Sequence, residues 1–242
     1  MNESANATNE NTASTTNTKE QPVIVIAGGR PNDRSSEENT WAETFVGLTK
    51  PQVAVIGTAN GDSLMFFQMM KSMIQKAGAD KVTLVKLAKK KADVEAAKQT
   101  LSQADVIFLS GGEVDEGIAW LEQHGLVEFL RELHQNGTRF IGASAGAIML
   151  GNKWAHWEVE GRDETATLID CLGLTPLTFD THAEDEDWVE LKCVLRLMGD
   201  GAIGHGLPSG CIISTDSQGN LKSLSKQPLI YQNQGGEITR VN

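Results

Sequence analysis

The chain has 242 residues and a formal net charge of −11, with 32 acidic against 21 basic side chains. This length suits one α/β domain with a substantial core. The negative charge argues against nucleic acid and anionic membranes as partners, and no apolar run is long enough to span a bilayer. Composition therefore favours a soluble protein without nucleic-acid or membrane partners.

The three cysteines, Cys171, Cys193 and Cys211, are an odd number and lack the spacing of a metal site. Such residues are typical of reduced, buried thiols in a cytosolic protein. We therefore expect a cytoplasmic location and no metal.

Residues 1–21 are almost entirely Asn, Thr, Ser, Ala and Glu. They lack the basic and apolar regions of a signal peptide and are too polar to form a core, so we predict a disordered tail. Residues 22–242 are predicted to form a single domain.

Apolar strands alternate with helices along the first part of this domain. We predict strands at 23–27, 52–57, 81–87 and 105–110 and in the run that enters Ser144, and helices at 37–48, 64–77, 93–101, 113–122 and 126–135. This alternation indicates an α/β fold: a doubly wound, mostly parallel sheet of the flavodoxin-like type with helices on both faces.

The remaining chain has a different pattern. Residues 153–160 alternate like a strand that places Trp154, His156, Glu158 and Glu160 on one face. Residues 184–198 predict an amphipathic helix, and short strands are expected near 203, 211–214, 221–224 and 229–231.

Glycine-rich or polar segments follow four of the parallel strands: residues 28–29, 58–62 and 111–112, and Ser144. The site of such a sheet lies beyond the carboxyl ends of its strands, so these segments should converge. Asn60 and Gly111 are accordingly candidate substrate-binding residues.

Ser144 lies between a predicted strand and an apolar helix, flanked by Gly142 and Gly146. A small-x-Ser-x-small sequence in this context predicts a nucleophile elbow, because the sharp turn leaves no room for large side chains two residues to either side. The following helix points its N-terminus at the site, and the Ala145 N–H is placed to be an oxyanion donor.

A serine nucleophile needs a base, and the chain has five histidines. His124 and His134 lie on predicted surface helices and are expected to be solvated, while His205 is expected to be structural. His156 shares a face with the glutamates and could be near the site. His182 is the preferred base, since it follows a short extended segment at a strand end.

A third group should orient the histidine. Glu158 and Glu160 lie between Ser144 and His182 on one side of their strand, so spacing alone does not choose between them. Asp163 and Asp180 are weaker candidates. The acidic run at 184–187 is interpreted as the start of a helix, where the dipole favours carboxylates.

Three segments together, residues 107–112, 142–146 and 180–182, resemble peptidase family S51, which includes dipeptidase E and cyanophycinase. The run at 172–182 resembles the family's approach to its histidine. The resemblance covers about residues 22–215. It implies a fold similar to the class I glutamine amidotransferase domain, with serine in place of cysteine.

The resemblance implies that Ser144 is the nucleophile, that His182 is the base, and that the N–H groups of Gly112 and Ala145 form the oxyanion hole. It also implies a small peptide substrate, no cofactor, and a possible homodimer. The family's acid lies about fifteen residues after the serine, where this chain has Val159 between Glu158 and Glu160.

Glu113 departs from the Asn, Asp or Gln that usually follows Gly-Gly in the family. A carboxylate beside the oxyanion hole would repel an acidic substrate group and attract an amine or guanidinium. Glu113 is therefore a candidate substrate-binding residue that argues against strict aspartyl dipeptidase activity.

Two other functions stay open. An esterase of the α/β-hydrolase type has the order Ser, acid, His, but it normally spreads these residues over several later strands. A binding protein with a degenerate triad would explain the uncertain acid and Glu113.

Overall fold

The structure is a computed structural model that describes residues 21–28, 41–159 and 161–242. The predicted tail, apart from Gln21, lies outside the described residues, as do Gly29, Glu160 and the predicted helix up to residue 40. A short helical segment at 41–43, followed by turns, occupies the described part of that prediction.

The elements alternate as predicted in the first part of the chain. The strands are β1 Val23–Ile26, β2 Gln52–Ile56, β3 Lys81–Val85, β4 Val106–Leu109, β5 Arg139–Ala143, β6 Lys153–Trp157, β7 Ala166–Asp170, β8 Phe179–Thr181, β9 Ile203–Leu207, β10 Ile212–Thr215, β11 Leu221–Ser223, β12 Leu229–Gln234 and β13 Glu237–Arg240. The α-helices are α1 Leu64–Lys76, α2 Val94–Ser102, α3 Val114–Gln123, α4 Val127–Gln135, α5 Ala145–Leu150 and α6 Val189–Met198.

Side-chain caps fix where two of these helices begin. Ser63 accepts a hydrogen bond from the Phe66 N–H at the start of α1, and Asp93 accepts one from the Ala96 N–H at the start of α2. Each oxygen satisfies an N–H that has no partner within its own helix.

The main sheet has seven strands within the described ranges, in the order β11-β10-β1-β5-β4-β2-β3. The five strands from β1 to β3 in this order are parallel, while β10 and β11 run antiparallel at one side. The predicted doubly wound, mostly parallel sheet is confirmed. The carboxyl ends of β1, β5, β4 and β2 therefore meet at one edge.

Alternate residues of each central strand enter two separate cores. In β1, Val23 and Val25 pack with side chains from α2, α3, α4 and α5. Ile24 and Ile26 pack with α1 and with Trp41 and Phe45. Strands buried on both faces need continuous apolar runs, which is why these segments do not alternate with polar residues.

A second sheet, ordered β13-β12-β9-β8 in the described chain, carries the histidine region. Strand β8 runs parallel to β9, with Thr181 opposite Leu207. This pairing holds the end of β8 beside the carboxyl edge of the main sheet. Strands β6 and β7 form a separate antiparallel ribbon.

Two predicted elements differ from the structure. The strand predicted over 153–160 ends at Trp157, and on it Trp154 is buried whereas His156 is exposed. The helix predicted over 184–198 begins only at Val189. Asp187 and Trp188 interrupt it with φ values of 53° and 57°, because the buried Trp188 ring packs against Gly206 and Tyr231.

Candidate active site

Ser144 occupies the sharp junction between β5 and α5, with φ 54° and ψ −127°. A Cβ added at Gly142 would lie 2.3 Å from the Gly146 carbonyl oxygen, and one at Gly146 would lie 2.1 Å from the Leu109 carbonyl oxygen. Both distances are far inside van der Waals contact. The turn therefore requires glycine at these positions, as the sequence predicted.

Backbone hydrogen bonds hold this strained turn in place. The Ser144 N–H donates to the Ile26 carbonyl across the sheet at 2.9 Å, and the Ser144 carbonyl accepts from the Ala147 N–H at 2.8 Å. The side chain is half-buried. A positive φ at a non-glycine residue persists only where the surrounding structure fixes it, and such residues cluster at functional sites.

His182 lies directly above this serine. The Ser144 hydroxyl hydrogen-bonds to Nε2 of His182 at 2.8 Å, across 38 residues of sequence. The His182 N–H donates to the Leu207 carbonyl at 2.8 Å, which ties the residue to β9. A hydroxyl and an imidazole at this distance have the geometry for direct proton transfer.

The Gly111-Gly112 loop closes over the serine. A Cβ at Gly111 would lie 3.0 Å from the Ser144 Cβ, and one at Gly112, where φ is 142°, would lie 1.9 Å from the Ala59 carbonyl oxygen. The Ala59 carbonyl instead accepts a 2.7 Å hydrogen bond from the Glu113 N–H. Within the described ranges, the N–H groups of Gly112 and Ala145 donate to no backbone carbonyl. Both can therefore donate hydrogen bonds to an oxyanion.

Asn60 holds this loop from beneath. Its Nδ2 donates to the Ser110 Oγ at 2.8 Å and to the Gly111 carbonyl at 2.7 Å, and its Oδ1 accepts from the Ser63 N–H at 3.1 Å. Asn60, predicted to bind substrate, therefore uses its side-chain amide in hydrogen bonds within the protein. These bonds fix the position of the loop.

The acids that the sequence offered as partners of His182 lie in different parts of the structure. Glu158 is exposed in the turn after β6, and no hydrogen bond joins it to His182. Glu160 lies outside the described residues. Asp163 pairs with Arg196 at 3.3 Å. None of the described sequence candidates orients the His182 ring by a direct hydrogen bond.

Asp180 is buried beneath the start of α6. Its Oδ1 accepts from the Thr181 N–H at 2.7 Å, and its buried Oδ2 has no hydrogen-bond partner in the described chain. Burial raises the pKa of Asp180 to about 7, and Glu190 and Glu186 add to this, against the lowering effect of the Thr181 and Leu191 N–H groups. Apart from Thr181, the groups that act on this carboxyl lie in α6 and in the turn before it, and His182 is not among them.

Glu184 is an acid that the sequence analysis did not choose. It lies in a 3₁₀ turn, Glu184–Glu186, and not at the start of an α-helix. Its Oε1 accepts a 3.1 Å hydrogen bond from the Ser209 N–H. Its position two residues after His182 could have indicated an acid near the base. The acidic run at 184–187 was instead interpreted as the N-terminus of a helix.

Glu113 lies exposed at the mouth of the site, where it precedes α3 without capping it. Its carboxylate makes no hydrogen bond or ion pair with any described residue. Two residues further on, Asp115 accepts a 2.6 Å hydrogen bond from Nδ1 of His156. His156 is thus placed beside the helix that follows the Gly111-Gly112 loop.

The other histidines have structural partners. His134 is buried, contrary to expectation, because it packs edge-on against Phe140 and bonds to the Gln21 carbonyl. His124 bonds to the Leu87 carbonyl at 2.9 Å. His205 is buried in β9, and burial lowers its pKa.

The described residues contain no cluster of three or more His, Cys, Asp or Glu side chains arranged to bind a metal ion. The three cysteines are free and buried, as predicted. Across the same part of the chain, no helix has the length and apolar character needed to cross a membrane.

Two bacterial peptidases resemble this sequence. The uncharacterized peptidase YgaJ of Bacillus subtilis (strain 168) is 27% identical over 171 residues, which are 68% of this chain and 69% of YgaJ. Peptidase E of Haemophilus influenzae is 29% identical over 135 residues, which are 54% of this chain and 59% of that protein.

Two crystal structures share the fold. A peptidase from an acI-B1 Actinobacterium superposes with a TM-score of 0.67 at 18% identity and covers 93% of this chain and 95% of its own. A protein of Listeria monocytogenes EGD-e, described as a candidate Peptidase E, gives 0.66 at 17% identity and covers 86% of this chain and 98% of its own.

The sequence profile of peptidase family S51 matches residues 23–220, which include the Ser144 turn, the Gly111-Gly112 loop and His182. The chain therefore belongs to peptidase family S51, and it is a peptidase.

Proposed function

We propose that this chain is a serine peptidase in which Ser144 attacks the scissile amide and His182 acts as general base and acid. The 2.8 Å hydrogen bond between the Ser144 hydroxyl and Nε2 of His182 carries the proposal. The Ser144 turn has the strand–serine–helix geometry of a nucleophile elbow, with the serine at positive φ.

The reaction follows from these positions. The Ser144 oxygen bonds to the amide carbon while its proton moves to Nε2 of His182, and the carbonyl oxygen becomes an oxyanion that accepts from the N–H groups of Gly112 and Ala145. The C–N bond then breaks, and His182 returns the proton to the leaving amine. Water, deprotonated by His182, hydrolyses the acyl-enzyme and releases Ser144.

The proposed substrate is a short peptide with an amine or guanidinium close to the scissile bond. Glu113 supports this preference, since its unpaired carboxylate lies next to Gly112. An opposite charge on the substrate would be attracted there and a carboxylate repelled. We propose that such peptides are hydrolysed in the cytoplasm.

Labelling with a fluorophosphonate tests this function. Wild type should label at neutral pH, whereas Ser144→Ala and His182→Ala should not, with circular dichroism showing that each variant is folded. Hydrolysis of a panel of dipeptides and isopeptides, most of them containing basic residues, should then identify the substrates that the protein turns over. Labelling of Ser144→Ala at the wild-type rate would contradict the assignment.

A binding protein on the same scaffold is the second candidate. The observation that favours it is that no described carboxylate hydrogen-bonds to the His182 ring. A folded wild-type protein that is inert to the phosphonate and to the peptide panel, yet binds basic peptides, would establish this function instead.

A further inference from the structure

The His182 imidazole has a defined partner on one side only. Nε2 bonds to Ser144, while Nδ1 has no hydrogen-bond partner in the described residues. A histidine that acts as general base works best when a carboxylate fixes its tautomer and stabilises the imidazolium. The site as described therefore needs an acid near His182.

One carboxylate close to His182 is held by the loop that also supports the histidine. Glu184 accepts from the Ser209 N–H, and the Ser209 hydroxyl lies against the same carboxylate. The Ser209 Oγ is buried and has no partner of good hydrogen-bond geometry. A buried polar atom of this kind is rare, and here it lies near the Glu184 carboxylate.

The same loop holds the backbone of His182. The Leu207 carbonyl accepts from the His182 N–H at 2.8 Å, and the Gly210 N–H donates to the Gly28 carbonyl at 2.6 Å. A Cβ added at Gly28 would lie 3.8 Å from Cδ2 of His182. The His182 backbone and the Glu184 carboxylate are thus both hydrogen-bonded to residues of the 207–210 loop.

The electrostatics agree with this geometry. Burial raises the pKa of Glu184, but the nearby Ser209 hydroxyl and the N–H groups of Glu184 and Ser209 outweigh it, and the charge of His182 lowers the pKa further. The net effect holds the pKa of Glu184 below its ordinary value.

We propose that Glu184, held by Ser209, is the positioning residue that orients His182 and stabilises its imidazolium, in place of Glu158. This inference rests on the proposed serine peptidase function. The groups that act on Asp180 include Glu190 and Leu191 of α6 but not His182. Glu186 lies in the same exposed 3₁₀ turn as Glu184, and among the described residues it has no hydrogen bond to the Ser209 loop. Because Glu184 is exposed to solvent, its effect should be smaller than that of a buried triad carboxylate.

The experiment compares wild type with Glu184→Gln, Glu184→Asp and the matched charge-removing control Glu186→Gln, and it includes Glu158→Gln and Glu160→Gln as tests of the rival acids. Fluorophosphonate labelling should slow roughly tenfold in Glu184→Gln and change less than about twofold in Glu186→Gln. Glu184→Asp, which keeps the charge, should recover part of the rate. Equal labelling of Glu184→Gln and wild type would overturn the proposal, as would a comparable loss in Glu158→Gln or Glu160→Gln.

A second readout does not depend on activity. The His182 ring signals are followed by NMR as a function of pH, with His182→Ala used to assign them. In Glu184→Gln their titration midpoint should move to lower pH by roughly half a unit or more, since an adjacent negative charge has been removed. Glu186→Gln should leave the midpoint unchanged. An unchanged midpoint in Glu184→Gln would refute the proposed effect of Glu184 on His182.

The two readouts separate failure of the proposed function from failure of this inference. A wild-type protein that does not label would defeat the serine peptidase assignment, while the NMR titration would still decide whether Glu184 acts on His182. A labelled wild type with an unaffected Glu184→Gln would leave the peptidase assignment standing and remove Glu184 from it.

Discussion

Ser144 and His182 share a 2.8 Å hydrogen bond although both residues hold positive φ values, 54° and 46°. Such backbone conformations cost about 1–3 kcal/mol each at non-glycine residues. Each is fixed by a cross-strand hydrogen bond, from the Ser144 N–H to Ile26 and from the His182 N–H to Leu207. The fold thus stabilises a strained pair whose side chains meet where two sheets adjoin.

The Gly112 position should tolerate no side chain. In Gly112→Ala, the added Cβ would lie 1.9 Å from the Ala59 carbonyl oxygen at a φ of 142°, so the loop must move and the Gly112 N–H leaves the oxyanion position. We expect phosphonate labelling to fall by about 100-fold or more. Gly78→Ala is the matched control, since Gly78 has φ 123° and open space around its Cα. That variant should lose stability but label normally; equal labelling of both variants would remove Gly112 from the site.

Asn60 should act through the loop and not through substrate. Asn60→Asp replaces the Nδ2 donor with an oxygen that faces the acceptors Ser110 Oγ and Gly111 O. We expect the maximal turnover rate to fall about tenfold with little change in KM, and unfolding free energy to fall by about 1–3 kcal/mol. Steady-state kinetics and urea unfolding measure the two effects. A rise in KM at constant turnover rate would instead indicate direct substrate contact.

The Glu113 charge should set the preference among substrates. Glu113→Lys should lower kcat/KM for peptides with a basic residue and raise it for acidic peptides, each by roughly two- to fivefold, because an exposed charge acts through water. Glu116→Lys, the same change one helical turn away, is the control. The effect should shrink in high salt. Identical preferences in wild type and Glu113→Lys would show that this carboxylate does not face the substrate.

Asp180 should make stability depend on pH. Burial raises its pKa to about 7 in the folded protein, whereas an exposed aspartate has a pKa of about 3.9. The folded state therefore retains a proton that the unfolded chain releases, so this contribution to stability declines as pH rises from about 4 to about 7 and is level above that. The decline is on the order of 4 kcal/mol at most.

The Asp180→Asn variant isolates this effect. Its amide does not titrate, so the variant should gain stability relative to wild type between pH 5 and pH 8, as measured by thermal or urea unfolding. Parallel stability curves for the two proteins over that range would contradict the raised pKa.

Local sequence decided most of the fold. Continuous apolar runs such as Val106–Leu109 predict strands buried on both faces, and the alternation of strands with helices predicts the parallel sheet. Ser144 was identifiable from the sequence because the sharp turn requires glycine two residues to either side, and Gly142 and Gly146 occupy those positions. The bounds of these elements were predicted to within a few residues.

Tertiary contacts decided what these local patterns left open. Residues 184–198 have the composition of one helix, but packing of Trp188 against Gly206 forces a break before Val189. His134 is buried because it packs against Phe140 of β5 and bonds to the Gln21 carbonyl, which precedes β1. Whether an acid reaches His182 depends on the loop at 207–210, which no spacing between Ser144 and His182 can reveal.

The sequence by itself determined the sheet, the serine turn and the two residues that perform the proposed chemistry, because steric limits and hydrophobic periodicity act over a few neighbouring residues. The tertiary structure alone decided that Asn60 supports the Gly111-Gly112 loop and that Glu184 accepts a hydrogen bond from the Ser209 N–H. These relationships join loops that follow neighbouring strands, β2 and β4 for Asn60 and β8 and β9 for Glu184. The residues are far apart in sequence, and only strand pairing brings them within hydrogen-bonding distance.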